Sequence, residues 1–119
     1  MRLSKEDVGS IMIDFPYEPI FNKVIITLNN LEIDGDLVLS ENVLSDRQYL
    51  VAGEIIYRDK KISPGDEVLI DIERMMVPVK TETNNAYEVR EQIKIDPLEV
   101  NGNTFAIIED RFIKSKILK

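Results

Sequence analysis

An all-β domain, either a barrel or a sandwich, is what this sequence predicts, and three observations predict it. Short segments alternate aliphatic with polar residues, turn residues separate them, and no long segment repeats its apolar residues at the helical period. A chain of 119 residues suits one domain, and a hydrophobic content of 44% is enough for a single packed core.

Residues 1–20 read as an N-terminal arm. Ser4 with Asp7 three residues on resembles a capping box for one short helical turn, which Gly9 then ends. Ile11, Ile13 and Phe15 alternate with Met12 and Asp14 as an edge strand would, and Pro16 and Pro19 stop it.

From residue 21 to 119 the chain reads as one β domain. Val24-Ile25-Ile26-Thr27-Leu28 is a strong strand ended by Asn29-Asn30. Residues 31–50 form a long, polar, turn-rich stretch that carries the aliphatic triplet Leu37-Val38-Leu39. Tyr49 to Tyr57 is a second strand, with Gly53 as a bulge or close-approach point. Ser63-Pro64-Gly65-Asp66 has type II turn chemistry, since Pro presets φ at the first central position and Gly accepts φ > 0 at the second. Glu67 to Ile72 follows as a strand, then Met75 to Val79 as a short edge strand limited by Pro78. Thr81 to Ala86 reads as polar loop, and Tyr87, Val89, Ile93 and Ile95 begin further strands. Asn101-Gly102 suits a type I′ hairpin between Leu98-Val100 and Phe105-Ile108. Residues 109–112 suit one helical turn, and Ile113 to Leu118 a terminal strand. Period-2 placement puts Val24, Ile26, Ile55, Val68, Ile70 and Ile107 in the core.

Composition narrows the function. With no His and no Cys, the chain has no imidazole base, no thiol nucleophile and no zinc-finger ligand set, so the expectation is a protein that is not an enzyme. A net charge of −7 with no basic cluster argues against nucleic acid as a partner. No apolar run is long enough for a membrane span and no signal-peptide pattern opens the chain, so a cytoplasmic location is expected. No metal or cofactor is expected either. Asp34-Gly35-Asp36 looks like half a calcium loop, but Glu41 and Asp46 fall at the wrong spacings and turn chemistry explains the tripeptide better. The adjacent acid pairs Glu6-Asp7, Asp66-Glu67 and Glu109-Asp110 would point to opposite faces of a strand and share no site. Met75-Met76 reads as one core and one rim residue.

The triplet Leu37-Val38-Leu39 has two readings. Three adjacent aliphatics in a loop need burial, and a partner's groove can supply it. Alternatively, Leu31-Glu32-Ile33 and the triplet close as an ordinary hairpin around Asp34-Gly35-Asp36, and the aliphatics line the domain's own core.

In order and approximate spacing, these segments resemble the co-chaperonin family, the lids of chaperonin folding chambers, over residues 22–118. Asn22-Lys23-Val24-Ile25-Ile26 is similar to the family's first strand, Asp-Arg-Val-(Ile/Leu)-(Val/Ile). Gly35-Asp36-Leu37-Val38-Leu39 resembles the Gly-Gly-Ile-Val-Leu core of its mobile loop, with Asp36 at the second Gly. Gly53-Glu54-Ile55-Ile56 resembles the Gly-Glu-Val strand after that loop. Ile62-Ser63-Pro64-Gly65-Asp66-Glu67-Val68-Leu69 is similar to Val-x-x-Gly-Asp-x-Val-(Leu/Ile), and residues 105–113 to the closing segment. The connection between Ile56 and Pro64 is short where bacterial lids carry a roof hairpin, residues 78–95 are longer than in the family, and the first 20 residues are extra. That pattern is most similar to the divergent co-chaperonins of T4-related tailed phages.

The resemblance implies a small irregular β-barrel with a mobile loop at about 31–50. It implies that Leu37, Val38 and Leu39 bind a chaperonin ring, which is the partner that holds the ATP. It implies a homo-oligomer of seven subunits, sealed by pairing the C-terminal strand with a neighbour's first strand; Ile113, Ile117 and Leu118 would then meet Val24, Ile26 and Leu28 at the subunit interface. A rival reading is a structural β-barrel protein of a phage virion, such as a capsid accessory or head-to-tail ring component, in which an extended N-terminal arm laces neighbouring subunits.

Overall fold

The computed structural model describes residues 2–33, 36–37, 44–83 and 86–118. Its centre is a six-stranded antiparallel sheet in the order β10-β11-β1-β4-β7-β12. These strands are β1 (Lys23–Thr27), β4 (Arg47–Ala52), β7 (Glu67–Ile70), β10 (Asp96–Val100), β11 (Asn103–Glu109) and β12 (Ile113–Lys116). Three hairpins stand apart as two-stranded sheets. They are β2 (Glu32–Ile33) with β3 (Asp36–Leu37), β5 (Ile55–Tyr57) with β6 (Lys60–Ile62), and β8 (Met76–Thr83) with β9 (Ala86–Ile93). The fold is all-β, as the alternation and turn signals require. Among the described residues the main sheet does not close into a barrel: β10 and β12 are its two edges.

Period-2 alternation divides the core by face. Val24, Ile26, Leu50, Val68, Ile70, Ala106 and Ile108 form one cluster with Met75, and Ile55, Phe112 and Ile113 pack against it half-buried. The intervening residues Ile25, Val51 and Phe105 face the other way and form a second cluster with Leu3 and Val8. Ile107 joins the rim of this second cluster. The central strands are therefore buried on both faces, and something must cover the second one.

Helix α1 (Lys5–Ile13) covers it, which corrects the reading of the N-terminus. The capping box is present: Asp7 N–H donates to Ser4 Oγ at 3.2 Å, and Ser4 N–H donates to Asp7 Oδ2 at 2.9 Å. The helix then runs straight through Gly9, where the alternation of Ile11, Ile13 and Phe15 suggests a break and an edge strand. Val8, Ile11, Met12 and Phe15 recur at helical spacing and all pack on the second cluster, while Ile13 is 78% exposed. Tertiary burial of that stripe outweighs the roughly 1 kcal/mol that Gly costs in a helix interior. From Leu3 to Phe15 this segment thus packs on the chain's own sheet as a helix and its flanks, and is not an extended edge strand.

Turn chemistry sets the connections. Gly65 has φ +97° in the Ser63–Asp66 turn, which closes with Asp66 N–H donating to Ser63 O at 3.0 Å. Asn101 and Gly102 have φ +51° and +83°, the type I′ pattern. Gly53, also at φ +97°, splits the expected Tyr49–Tyr57 strand into β4 and β5. A Cβ there would lie 3.0 Å from Pro19 Cγ and 3.1 Å from Val24 Cγ1, so the close approach read from the sequence is real. The polar run from Thr81 is not a loop: β8 and β9 pair from Met76↔Ile93 to Thr83↔Ala86. The short helix α2 (Ile72–Met75) leads into them, and a 3₁₀ turn over Asp110–Phe112 precedes β12.

The strand pairing removes one expected interface. Strand β1 is hydrogen-bonded to β11 on one side and β4 on the other, so it has no free edge for a neighbour's C-terminal strand. Val24 and Ile26 are buried in this chain's own core, and Leu28 packs half-buried against it. At the other end, β12 pairs with β7 of the same chain, so Ile113 is also core-facing. Of the six residues expected at a subunit interface, Leu118 stands out as exposed, at 81%, and Ile117 is half-buried.

A candidate partner-binding loop and its frame

The excursion between β1 and β4 carries the triplet, and its two ends are joined at the base. Asn30 and Leu44 form an antiparallel bridge, and Ser45 N–H donates to Asn29 O at 3.0 Å. The chain therefore leaves the sheet at Asn30 and rejoins it at Leu44, side by side. Within it the backbone of β2 pairs with β3, setting Glu32 opposite Leu37 and Ile33 opposite Asp36. The hairpin register around Asp34-Gly35 is thus the one the sequence allows. It places Leu37 at the end of β3, whereas Val38 and Leu39 lie outside the described residues.

Beneath the bridge sits a buried polar cluster centred on Gln48, which is 0% exposed. Gln48 Oε1 accepts from Thr27 Oγ1 at 2.8 Å and from Asn29 N–H at 2.7 Å. Gln48 Nε2 donates to Asn29 O and to Ser45 O, both at 2.8 Å. All four hydrogen-bonding sites of the amide are used. Thr27 Oγ1 in turn accepts from Tyr49 N–H at 2.9 Å, replacing a ladder bond close to where the β1–β4 register slips. The Asn29 side chain mimics a strand: Oδ1 accepts Leu3 N–H at 2.8 Å and Nδ2 donates to Leu3 O at 3.0 Å. Among the described residues no buried side-chain polar atom lacks a partner.

The Gln48 side chain therefore holds Asn29 and Ser45 together at the base, and the Asn29 side chain ties Leu3 beneath them. Buried networks of this kind hold only if fully satisfied, because each orphaned group costs about 1–3 kcal/mol. The sequence reading missed Thr27, Asn29, Ser45 and Gln48. The available signal was Gln48 itself, a polar residue on the same strand face as core Leu50. Beside the base, Leu28, Leu44, Met76, Ile93 and Ile95 line a groove of about 600 Å³.

Among the described residues, the titratable groups that are shifted owe it to local contacts. Ser4 holds the Asp7 carboxyl below its ordinary value through the capping box. Arg111 does the same for Glu109, with Nε donating to Oε2 at 2.8 Å. Burial, with the Glu67 carboxylate nearby, pushes the Tyr49 phenol up. Each shift has a structural cause, and the three groups share no cleft. No described helix is long and apolar enough to cross a membrane. No protein-family model matches the chain, and no curated protein matches it significantly.

Proposed function

We propose that this protein is a co-chaperonin-like lid: a cytoplasmic, non-enzymatic protein that binds an ATP-driven chaperonin ring through Leu37, Val38 and Leu39. The observation that carries the reading is the frame around Gln48. The two ends of a polar, turn-rich stretch bearing three aliphatics are held together by a fully satisfied buried cluster. A binding loop needs such a mount. The resemblance in motif order supplies the partner class.

The energetics demand an oligomer. Burying Leu37, Val38 and Leu39 in a partner's groove gives roughly 1.5–3 kcal/mol each. Ordering a flanking loop costs about 1–2 kcal/mol per residue fixed. One loop alone binds barely or not at all. Several loops on one ring share a single translational cost, so the assembly binds and still releases. The lid reading implies seven subunits, with the nucleotide bound by the partner.

The experiment is co-sedimentation of the purified protein with a chaperonin, with and without ATP. Nucleotide-dependent binding that is lost in the Leu37→Ser/Leu39→Ser variant supports the lid. Binding that ignores both nucleotide and variant contradicts it. A second reading, a structural component of a phage virion, draws on the β8–β9 ribbon. This ribbon extends eight residues per strand with Tyr87 and Val89 about two-thirds exposed, and the lid resemblance does not account for it. Co-purification with virus particles would favour that reading. The docked helix α1 removes the extended-arm argument for it.

A further inference from the structure

The fold gathers cations that the sequence keeps apart. Lys23, Arg74, Lys94 and Arg111 come from β1, α2, the β9–β10 connection and the 3₁₀ turn, and all four line one cleft of about 540 Å³. In that lining the opposite sign is carried by Asp96 and Glu109. Cations thus outnumber acids four to two here, on a chain whose net charge is −7.

The acids leave part of this charge unanswered. Glu109 is engaged by Arg111, whose Nε donates to Oε2 at 2.8 Å, and Lys23 lies opposite Glu109 in the β1–β11 register. Asp96 is the remaining acid of the lining. Asp71 adjoins the cleft, and its carboxylate accepts the Arg74 backbone N–H at 3.3 Å as the cap of α2. Glu73 and Asp110 are outside the lining, and Asp110 lines the separate groove between the β5–β6 hairpin and β12. Arg74 and Lys94 have no ion-pair partner among the described residues.

Arg74 also retains unused donors. Its Nη1 reaches Arg111 O at 3.4 Å, and its guanidinium carbon sits 6.0 Å from the centroid of the Phe112 ring. Arg111 lies 4.9 Å from the same centroid, so one ring orients two guanidiniums. A guanidinium presents its donors in a planar fork that matches carboxylate and phosphate oxygens. Beneath the charges the cleft is aliphatic. Met75 and Ile108 are buried, and Val77, Ile95 and Phe112 are half-buried. The volume falls within the range of about 300–1,000 Å³ of small-molecule sites, which combine an apolar lining with a few convergent polar groups. Rim and floor together select the ligand: an oxyanion head for the cations and a short alkyl body for the aliphatics.

We propose that this cleft binds a small amphipathic anion, an alkyl carboxylate or alkyl phosphate, with its head at Arg74 and Lys94 and its body on Met75, Val77 and Ile95. A polyanion does not fit, because the chain beyond the cleft is negative and repels it. The inference does not rest on the lid reading and uses none of its residues.

The test is calorimetric titration of the full-length protein with octanoate and with octyl phosphate at low and at physiological salt, with thermal melting as the folding control. At least one of the two is expected to bind saturably, and more weakly as salt rises. Lengthening the alkyl chain tightens binding by up to about fourfold for each methylene that reaches the floor. Octanol, which has the body without the charge, binds about tenfold more weakly or worse. Arg74→Glu and Lys94→Glu each weaken binding by about tenfold or more, while Lys60→Glu, the same charge change outside the cleft, leaves it within about twofold. Absence of saturable binding by both probes, octanol binding as tightly as they do, or Lys60→Glu weakening binding as much as Lys94→Glu would overturn the proposal. Flotation with phosphatidylglycerol vesicles by a protein that binds neither soluble probe would assign the cations to a lipid surface and overturn it too.

Discussion

Replacing Gln48 with Leu keeps the volume close and deletes every hydrogen bond the side chain makes. Asn29 N–H and Ser45 O lose their partners inside the protein, and Thr27 Oγ1 keeps only the bond it accepts from Tyr49. Asn29 O retains Ser45 N–H. Two orphaned backbone groups and one half-satisfied hydroxyl, at about 1–3 kcal/mol each, give a loss of roughly 3–5 kcal/mol after the added apolar burial is credited. For a chain of this size that lowers the melting temperature by about 10–20 °C. Gln48→Glu is the sharper perturbation. Its second oxygen faces Asn29 O and Ser45 O, which accept and cannot donate. The folded state therefore favours the protonated acid and raises its pKa above the unfolded value of about 4.3. Stability relative to the unmodified chain is then fully present below that value and lost as pH rises through the folded pKa. Thermal melts of both variants between acid and neutral pH measure this. A Leu variant that melts within about 1 kcal/mol of the unmodified chain, or a Glu variant with no extra pH dependence, would refute the assignment of Gln48 as the fastener of the loop base.

Other consequences follow from particular contacts. The Asp7 carboxyl, held low chiefly by the Ser4 backbone N–H and further by its hydroxyl, contributes stability that is present above the ordinary Asp range and lost as pH falls through the folded value; in Ser4→Ala its titration, followed by NMR, should move only part of the way back up, because the residue-4 N–H still donates. Gly53→Ala should destabilise by more than Gly102→Ala in chemical denaturation. Both have positive φ, but only the first would drive its Cβ to 3.0 Å from Pro19 and 3.1 Å from Val24, whereas the second points into open space. Val8→Asp should unfold the protein or release α1, because Val8 is 0% exposed beneath the helix and a lone buried carboxylate is costly. Normal melting of that variant would mean the helix does not dock as described.

Local rules read much of this fold, and tertiary ones overrode them at identifiable places. The turns at Gly65 and Asn101-Gly102 and the cap at Ser4 were legible because each depends on a few adjacent residues. Gly53 was legible as a close approach, but its partners Pro19 and Val24 lie far away in sequence. Helix α1 was misread because Ile11, Ile13 and Phe15 satisfy the strand period while Val8, Ile11, Met12 and Phe15 satisfy the helical one, and only the uncovered sheet face decides between them. The β8–β9 ribbon hid behind polar residues, since a hairpin exposed on both sides carries little apolar alternation. At the candidate site the triplet was visible as three misplaced aliphatics. Its frame was not, because Thr27, Asn29, Ser45 and Gln48 are ordinary polar residues until the fold buries them together.

The central claim is that Leu37-Val38-Leu39 serves a partner and not this chain's core, and thermal melting of the Leu37→Ser/Leu39→Ser double variant tests it most directly. The account predicts a melt within about 1 kcal/mol of the unmodified chain, because side chains that serve a partner and not this chain's core contribute little to the fold. A loss of about 2–5 kcal/mol per Leu, the cost of truncating core residues, would show that the triplet fills the protein's own interior and would contradict the account.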